Sequence, residues 1–194
     1  MRRLRRALVS FAVSAAVVSA ACADPPDREI QQAQGAIDAA RAAGADQYAR
    51  DEFAAAEDAL KRAREAVDQR DYRQALNNAL DARERAQTAA KDTVNQKAIA
   101  RADAEKALAE ATAALAQSRA KLKNAEGGHV APKTLAAATR SVSEHEQRVQ
   151  DARAAFDRGD YLAAIDQARS AVADLRATAH DLETAPTTGT RRRR

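Results

Sequence analysis

Residues 68–79 read DQRDYRQALNNA, and residues 157–168 read DRGDYLAAIDQA. Asp, Asp, Tyr, Ala and Ala recur at the same five places, in a chain of 194 residues with only three Tyr, three Phe and no Trp. The pattern predicts a corner between two helices. Gly159 can take the left-handed conformation that closes a helix, and Arg70 must manage the equivalent place at some cost. Asp71 and Asp160 are then N-caps, and Gln74 completes a capping box with Asp71. Tyr72 and Tyr161 start the next apolar seams, rings inward and hydroxyls near the wet end of a bundle. A corner that occurs twice implies two helical units.

Outward from these corners the apolar residues keep helical spacing. A helix is expected over 27–43, with Ile30, Ala33, Ile37 and Ala40 inward and Gly44 as its stop. A second runs over about 48–69 with Phe53, Ala56, Leu60, Ala63 and Val67 at heptad steps. From Tyr72 no Gly or Pro intervenes until Gly127, so one helix of about 55 residues is expected, its seam continuing through Leu108, Ala111, Leu115, Ser118 and Leu122. Asp92 to Asn95 are weaker helix formers, where a bend or a boundary between units belongs. Two more helices are expected over 132–157, with Leu135, Ala138, Val142, His145, Val149, Ala152 and Phe156 inward, and over 161–183. Opposite charges at i,i+4 support the polar faces: Glu57 with Lys61, Asp58 with Arg62, Asp81 with Arg85, and Glu144 with Arg148.

The resulting fold class is all-α: Ala-rich antiparallel hairpins in two tandem three-helix units, sharing or linked by a long central helix. The expected domains are a signal peptide over 1–21, an acylated Cys with a short linker over 22–26, helical units over 27–95 and 96–184, and a disordered basic tail over 185–194. Residues 48–53 match 130–135 at an offset of 82, whereas the corners match at 89. The difference is one heptad, so the second copy gains two turns without rotating its seam. Ala supplies more than half of the hydrophobic class, so the core is thin and made of small side chains.

Charge is local. The leader holds Arg2, Arg3, Arg5 and Arg6, and the tail holds Arg191, Arg192, Arg193 and Arg194, while all 28 acidic residues lie from Asp24 onward. Without those eight Arg, 24 basic residues face 28 acidic ones, which argues against nucleic acid as a partner. The tail is an electrostatic handle for anionic envelope polymers or head groups, or simply a solvated end.

MRRLRRALVSFAVSAAVVSAACA, residues 1–23, has the basic start, apolar run and small residues of an export signal. The uncharged run of about 15 residues is short for a bilayer span. The single Cys, Cys22, follows Val18, Ser19, Ala20 and Ala21. VSAAC resembles the lipobox of bacterial lipoproteins, although Ser19 stands where a bulky aliphatic residue is usual. That resemblance implies lipid attachment at Cys22, with palmitate among the chains. Ala23 rather than Asp in the next position implies release to the outer membrane, facing the periplasm. Cleavage after Ala23 to give a soluble periplasmic protein is the alternative.

Gly44-Ala-x-x-Tyr-Ala-x-x-Glu52, followed by Asp71-Tyr-x-x-Ala-x-x-x-Ala79 after a turn, resembles the bacterial lipoproteins of the domain-of-unknown-function 4398 family. Arg50 stands where that pattern often has Pro, and Val130 stands where a second, looser copy over 97–182 has Tyr. The family has no assigned chemistry. Some members are similar to the helical leader of peptidoglycan-binding outer-membrane proteins, which implies peptidoglycan or envelope proteins as partners. Gly159 to Ile165 is also similar to a tetratricopeptide junction, whose period of about 34 residues is shorter than the spacing here.

No enzyme, cofactor or metal is expected. His129, His145 and His180 do not converge: about a corner at 158–160, residue 145 lies opposite about 172, and 180 opposite about 137. No nucleophile-His-acid spacing or phosphate loop is present. Two functional classes follow. One is a non-catalytic helical spacer, scaffold or interaction protein; the other is a tetratricopeptide-like module binding a peptide or partner protein. A thin core leaves self-association as a further route to stability.

Overall fold

The computed structural model describes residues 24–128 and 130–185. The leader, Cys22, His129, Pro186 and Arg191 to Arg194 lie outside the described residues. Those described are all-α: α1 (Asp27–Ala43), α2 (Ala45–Tyr48), α3 (Arg50–Asp68), α4 (Tyr72–Glu126), α5 (Pro132–Asp157) and α6 (Tyr161–Thr184). Gly44 ends α1 at φ 96°, its N–H donating to the Ala40 and Arg41 carbonyls.

The helix expected over about 48–69 is α3, and ahead of it the chain makes an unexpected single turn, α2, with a break at Ala49 (φ −139°, ψ 49°). The fully buried Ala45 seats that extra turn in the core. Helix α4 runs 55 residues without interruption. At Thr93, a weak helix former within it, the hydroxyl donates to the Ala89 carbonyl at 2.7 Å, so the side chain is satisfied inside its own helix. The chain divides into two compact units between Thr93 and Val94.

The first unit packs α1, α2, α3 and the first part of α4 around Ile37, Phe53, Leu60 and a set of buried Ala. Cross-helix contacts give its directions. Gln34 meets Arg64 and Arg41 meets Glu57, so numbers rise on α1 as they fall on α3. Glu52 meets Arg85 and Arg62 meets Asp81, which runs α3 against α4 in the same sense. Arg41 also sits over the Phe53 ring, 5.3 Å from its centroid. Two of the expected local pairs therefore turn outward: Glu57 goes to Arg41 and Arg62 to Asp81, while Asp81 keeps Arg85 at 2.9 Å. Such exposed pairs are worth only a few tenths of a kcal/mol each, up to about 1.

The α3 seam differs from the expected one at its end, where Ala59 and Ala66 are buried and Val67 only half-buried. A helix with two neighbours buries positions on both flanks of its seam, and the smallest side chains there are covered completely.

The second unit packs the later part of α4 with α5 and α6 around Leu115, Leu122, Val142, Val149, Val172, Leu175 and Leu182. Thr112 meets Arg153 and Arg119 meets Glu146, so α4 and α5 run antiparallel. Ser118 reaches the Leu175 carbonyl, and Lys121 pairs with Glu183, so α4 and α6 run parallel. Ile30, Leu108, Leu135, Phe156, Tyr72 and Tyr161 are half-buried rather than fully inward. Helix α3 has 19 residues and α5 has 26, which is the heptad by which the copies differ. Helices of this length do not fit the 34-residue tetratricopeptide period.

Candidate functional site

The two corners are the sequence-singled positions that fall within the described residues. At the first, the Arg70 N–H donates to Val67 O at 2.8 Å and the Asp71 N–H to Ala66 O at 2.9 Å, the pair of bonds that closes a helix on a left-handed residue. Arg70 is that residue, at φ 59°, and it is the one non-glycine at positive φ among those described. At the second corner, the Gly159 N–H donates to Phe156 O and the Asp160 N–H to Ala155 O, both at 2.9 Å, with Gly159 at φ 81°.

Each Asp then turns its carboxylate forward. Asp71 accepts from the Gln74 N–H at 3.0 Å and Asp160 from the Ala163 N–H at 3.2 Å. The expected capping box does not form, because the Asp71 N–H that Gln74 would have had to reach is already committed to Ala66. Tyr161 lies against Phe156 with ring centroids 5.4 Å apart and planes at 58°, closing the corner's apolar side. These residues shape a turn, and they bring together no acid-base pair.

A second cluster lies along α5 and α6. The Ser141 and Thr178 hydroxyls bond each other at 2.7 Å, and Thr178 also donates to the Asp174 carbonyl at 3.0 Å. One turn on, His145 is buried, with Nδ1 3.8 Å from Asp174 Oδ2, beyond hydrogen-bond reach. Arg148 reaches the same Asp174 oxygen at 3.1 Å, so that carboxylate is held by the guanidinium. His145 Nδ1 is left buried with no hydrogen-bond partner.

Beside the hydroxyl pair is a recess of about 200 Å³ lined by Thr134, Ala137, Ser141, Thr178, Asp181 and Leu182. Sequence reading placed His145 in the seam and opposite about residue 172, which is two residues from the observed Asp174. It missed Ser141 and Thr178. Ser141, His145 and Arg148, at steps of four and three, face Asp174 and Thr178, four apart, and that shared spacing was the signal. Hydroxyls already bonded to one another and a guanidinium on the carboxylate fix helix register; they activate no nucleophile. Among the described residues no group of three or more His, Cys, Asp or Glu could hold a metal ion.

Helices closed by duplicated capped corners, with cores built largely of alanine, define an all-α protein. Residues 28–107 match the model of a family described as a domain of unknown function (DUF4398), over most of α1, all of α2 and α3, and α4 through Ala107. The resemblance carried by Gly44 to Glu52 and Asp71 to Ala79 lies inside that match. No curated protein and no solved structure matches the chain.

Proposed function

We propose that the protein is a cell-envelope lipoprotein, anchored through Cys22 and facing the periplasm, whose helical units act as a non-catalytic spacer, scaffold or interaction surface. The observation that carries the reading is the single Cys at the end of a basic-then-apolar leader, five residues before α1 begins at Asp27. Two or more acyl chains on one Cys anchor stably where a single chain is marginal. Asp24, Pro25 and Pro26 form a short, stiff lead into the first helix, and Pro26 O accepts from the Ile30 N–H at 3.0 Å. The DUF4398 match over 28–107 supports a helical part without assigned chemistry. Ala23 after the Cys favours the outer membrane.

The test is Cys22→Ala in cells fed labelled palmitate. Loss of label together with loss of the protein from the membrane fraction is expected. Label that persists, or an unlabelled soluble wild-type protein beginning at Asp24, overturns the anchor.

A further inference from the structure

The large apolar side chains exposed among the described residues are Leu80, Val94 and Ile99, all on α4, with Val94 at 67% and Ile99 at 55%. Val94 to Ile99 is also a run of six residues with none buried. With roughly 100° between successive residues, Val94, Ala98 and Ala102 form one row at steps of four, and Ile99 stands beside it. All four are exposed, while Ala100 and Ala104, on the other side of the helix, are buried. The helix is thus apolar on two faces here, and its own chain covers one of them.

We propose that this row docks a second copy of the chain, the two α4 helices pairing antiparallel about a two-fold axis at Ala98. The sequence around Ala98 has the reciprocity that such pairing needs. Val94 lies four residues before it and Ala102 four after, so each Val94 meets Ala102 of the other copy. Lys91 lies seven before and Glu105 seven after, and both are exposed, so each Lys91 meets Glu105 of the other copy. Glu105 already bonds Arg101 of its own helix at 3.1 Å, which leaves it facing outward between two cations in the pair. A uniformly acidic or basic partner helix would meet a like charge at one end of the row; a second copy does not. Ala98 and Ala102 let the helix axes approach to the short end of the usual 8–10 Å, about 8 Å.

One helical strip covers less than the roughly 800 Å² per partner of a stable complex, so the dimer is weak and concentration-dependent. Holding copies on one surface raises its occupancy. The inference does not depend on the envelope reading.

The experiment uses the full chain carrying Cys22→Ser. Sedimentation equilibrium is expected to show a mass rising from monomer towards dimer with concentration. Val94→Glu with Ala98→Glu, which sets two carboxylates against each other on the axis, should return a monomer with unchanged helical circular dichroism. Lys91→Glu alone should weaken the dimer, and adding Glu105→Lys should restore it. Ala98→Cys should give a disulfide-linked dimer faster than Gln117→Cys, an exposed control on the same helix. A monomer at every concentration, a dimer that survives the two Glu substitutions, a charge swap that fails to restore, or equal crosslinking at 98 and 117 would each overturn the proposal.

Discussion

At the first corner a charged residue, Arg70, is held at φ 59°, and at the second a glycine, Gly159, at φ 81°, yet the backbone hydrogen bonds around the two match donor for donor. Beyond the corners the two units diverge. In the first, the buried polar residue is Thr93, bonded to its own helix. In the second, Ser118 bonds across to α6 and Thr178 across to α5, beside buried His145. An alanine seam looks alike at each heptad and specifies register weakly. The first unit therefore relies on a few large side chains, Ile37, Phe53 and Leu60, with its cross-helix polar bonds at the surface, and the second adds buried and part-buried polar bonds between helices.

The largest effects should come from those few large side chains. Phe53→Ala is expected to cost about 3–5 kcal/mol and Leu175→Ala about 2–5, by lost burial and the cavity left behind. Hydrogen exchange separates the units: Phe53→Ala should lower protection over 30–90 and leave 104–182 unchanged, and Leu175→Ala should do the reverse. Equal loss in both units under either substitution would break the comparison.

Next in size are the caps. Asp71→Ala and Asp160→Ala each remove a carboxylate acceptor at the start of a helix, at a cost of about 1 kcal/mol by chemical denaturation. Similar costs at both sites mean equivalent corners; a cost at Asp160 alone would mean that the first corner rests on packing.

Exchanging the left-handed residues is expected to act with opposite signs. Arg70→Gly should stabilise by up to about 1 kcal/mol, and Gly159→Ala should destabilise by about the same, since no neighbouring atom lies within 4 Å of an added Cβ and backbone strain is the whole effect. Thermal melts of the two variants measure it. Smallest is Gly35→Ala on the exposed face of α1, where an added Cβ also meets nothing and a gain of roughly 0.5–1 kcal/mol is expected. A loss there would mean that something approaches that glycine closely.

Helix placement was legible in the sequence because period, stop and cap agree at Gly44, Asp71 and Asp160. The weak formers at 92–95 left open a bend or a boundary between units. A break in the helix was not implied by them, because a Thr that returns its hydroxyl to the preceding turn costs α4 no backbone bond. The extra turn of α2 was hidden because four residues between Gly44 and Ala49 are too few to show a period, and the burial of Ala45 appears only in the fold. The Ser141 and Thr178 pair was hidden for a similar reason: hydroxyls at seam edges read as surface until the partner helix is set beside them. Cys22 and the Arg tail lie outside the described residues, so their reading rests on the sequence alone.

The dual duty of Asp71 and Asp160 bears on how a chain like this lengthens. One residue ends a helix with its amide and begins another with its carboxylate, so a nine-residue word, 66–74 or 155–163, holds the hydrogen bonds of a reversal. Such a word can be copied with its flanks, and those flanks can then differ by whole heptads, as α3 and α5 do.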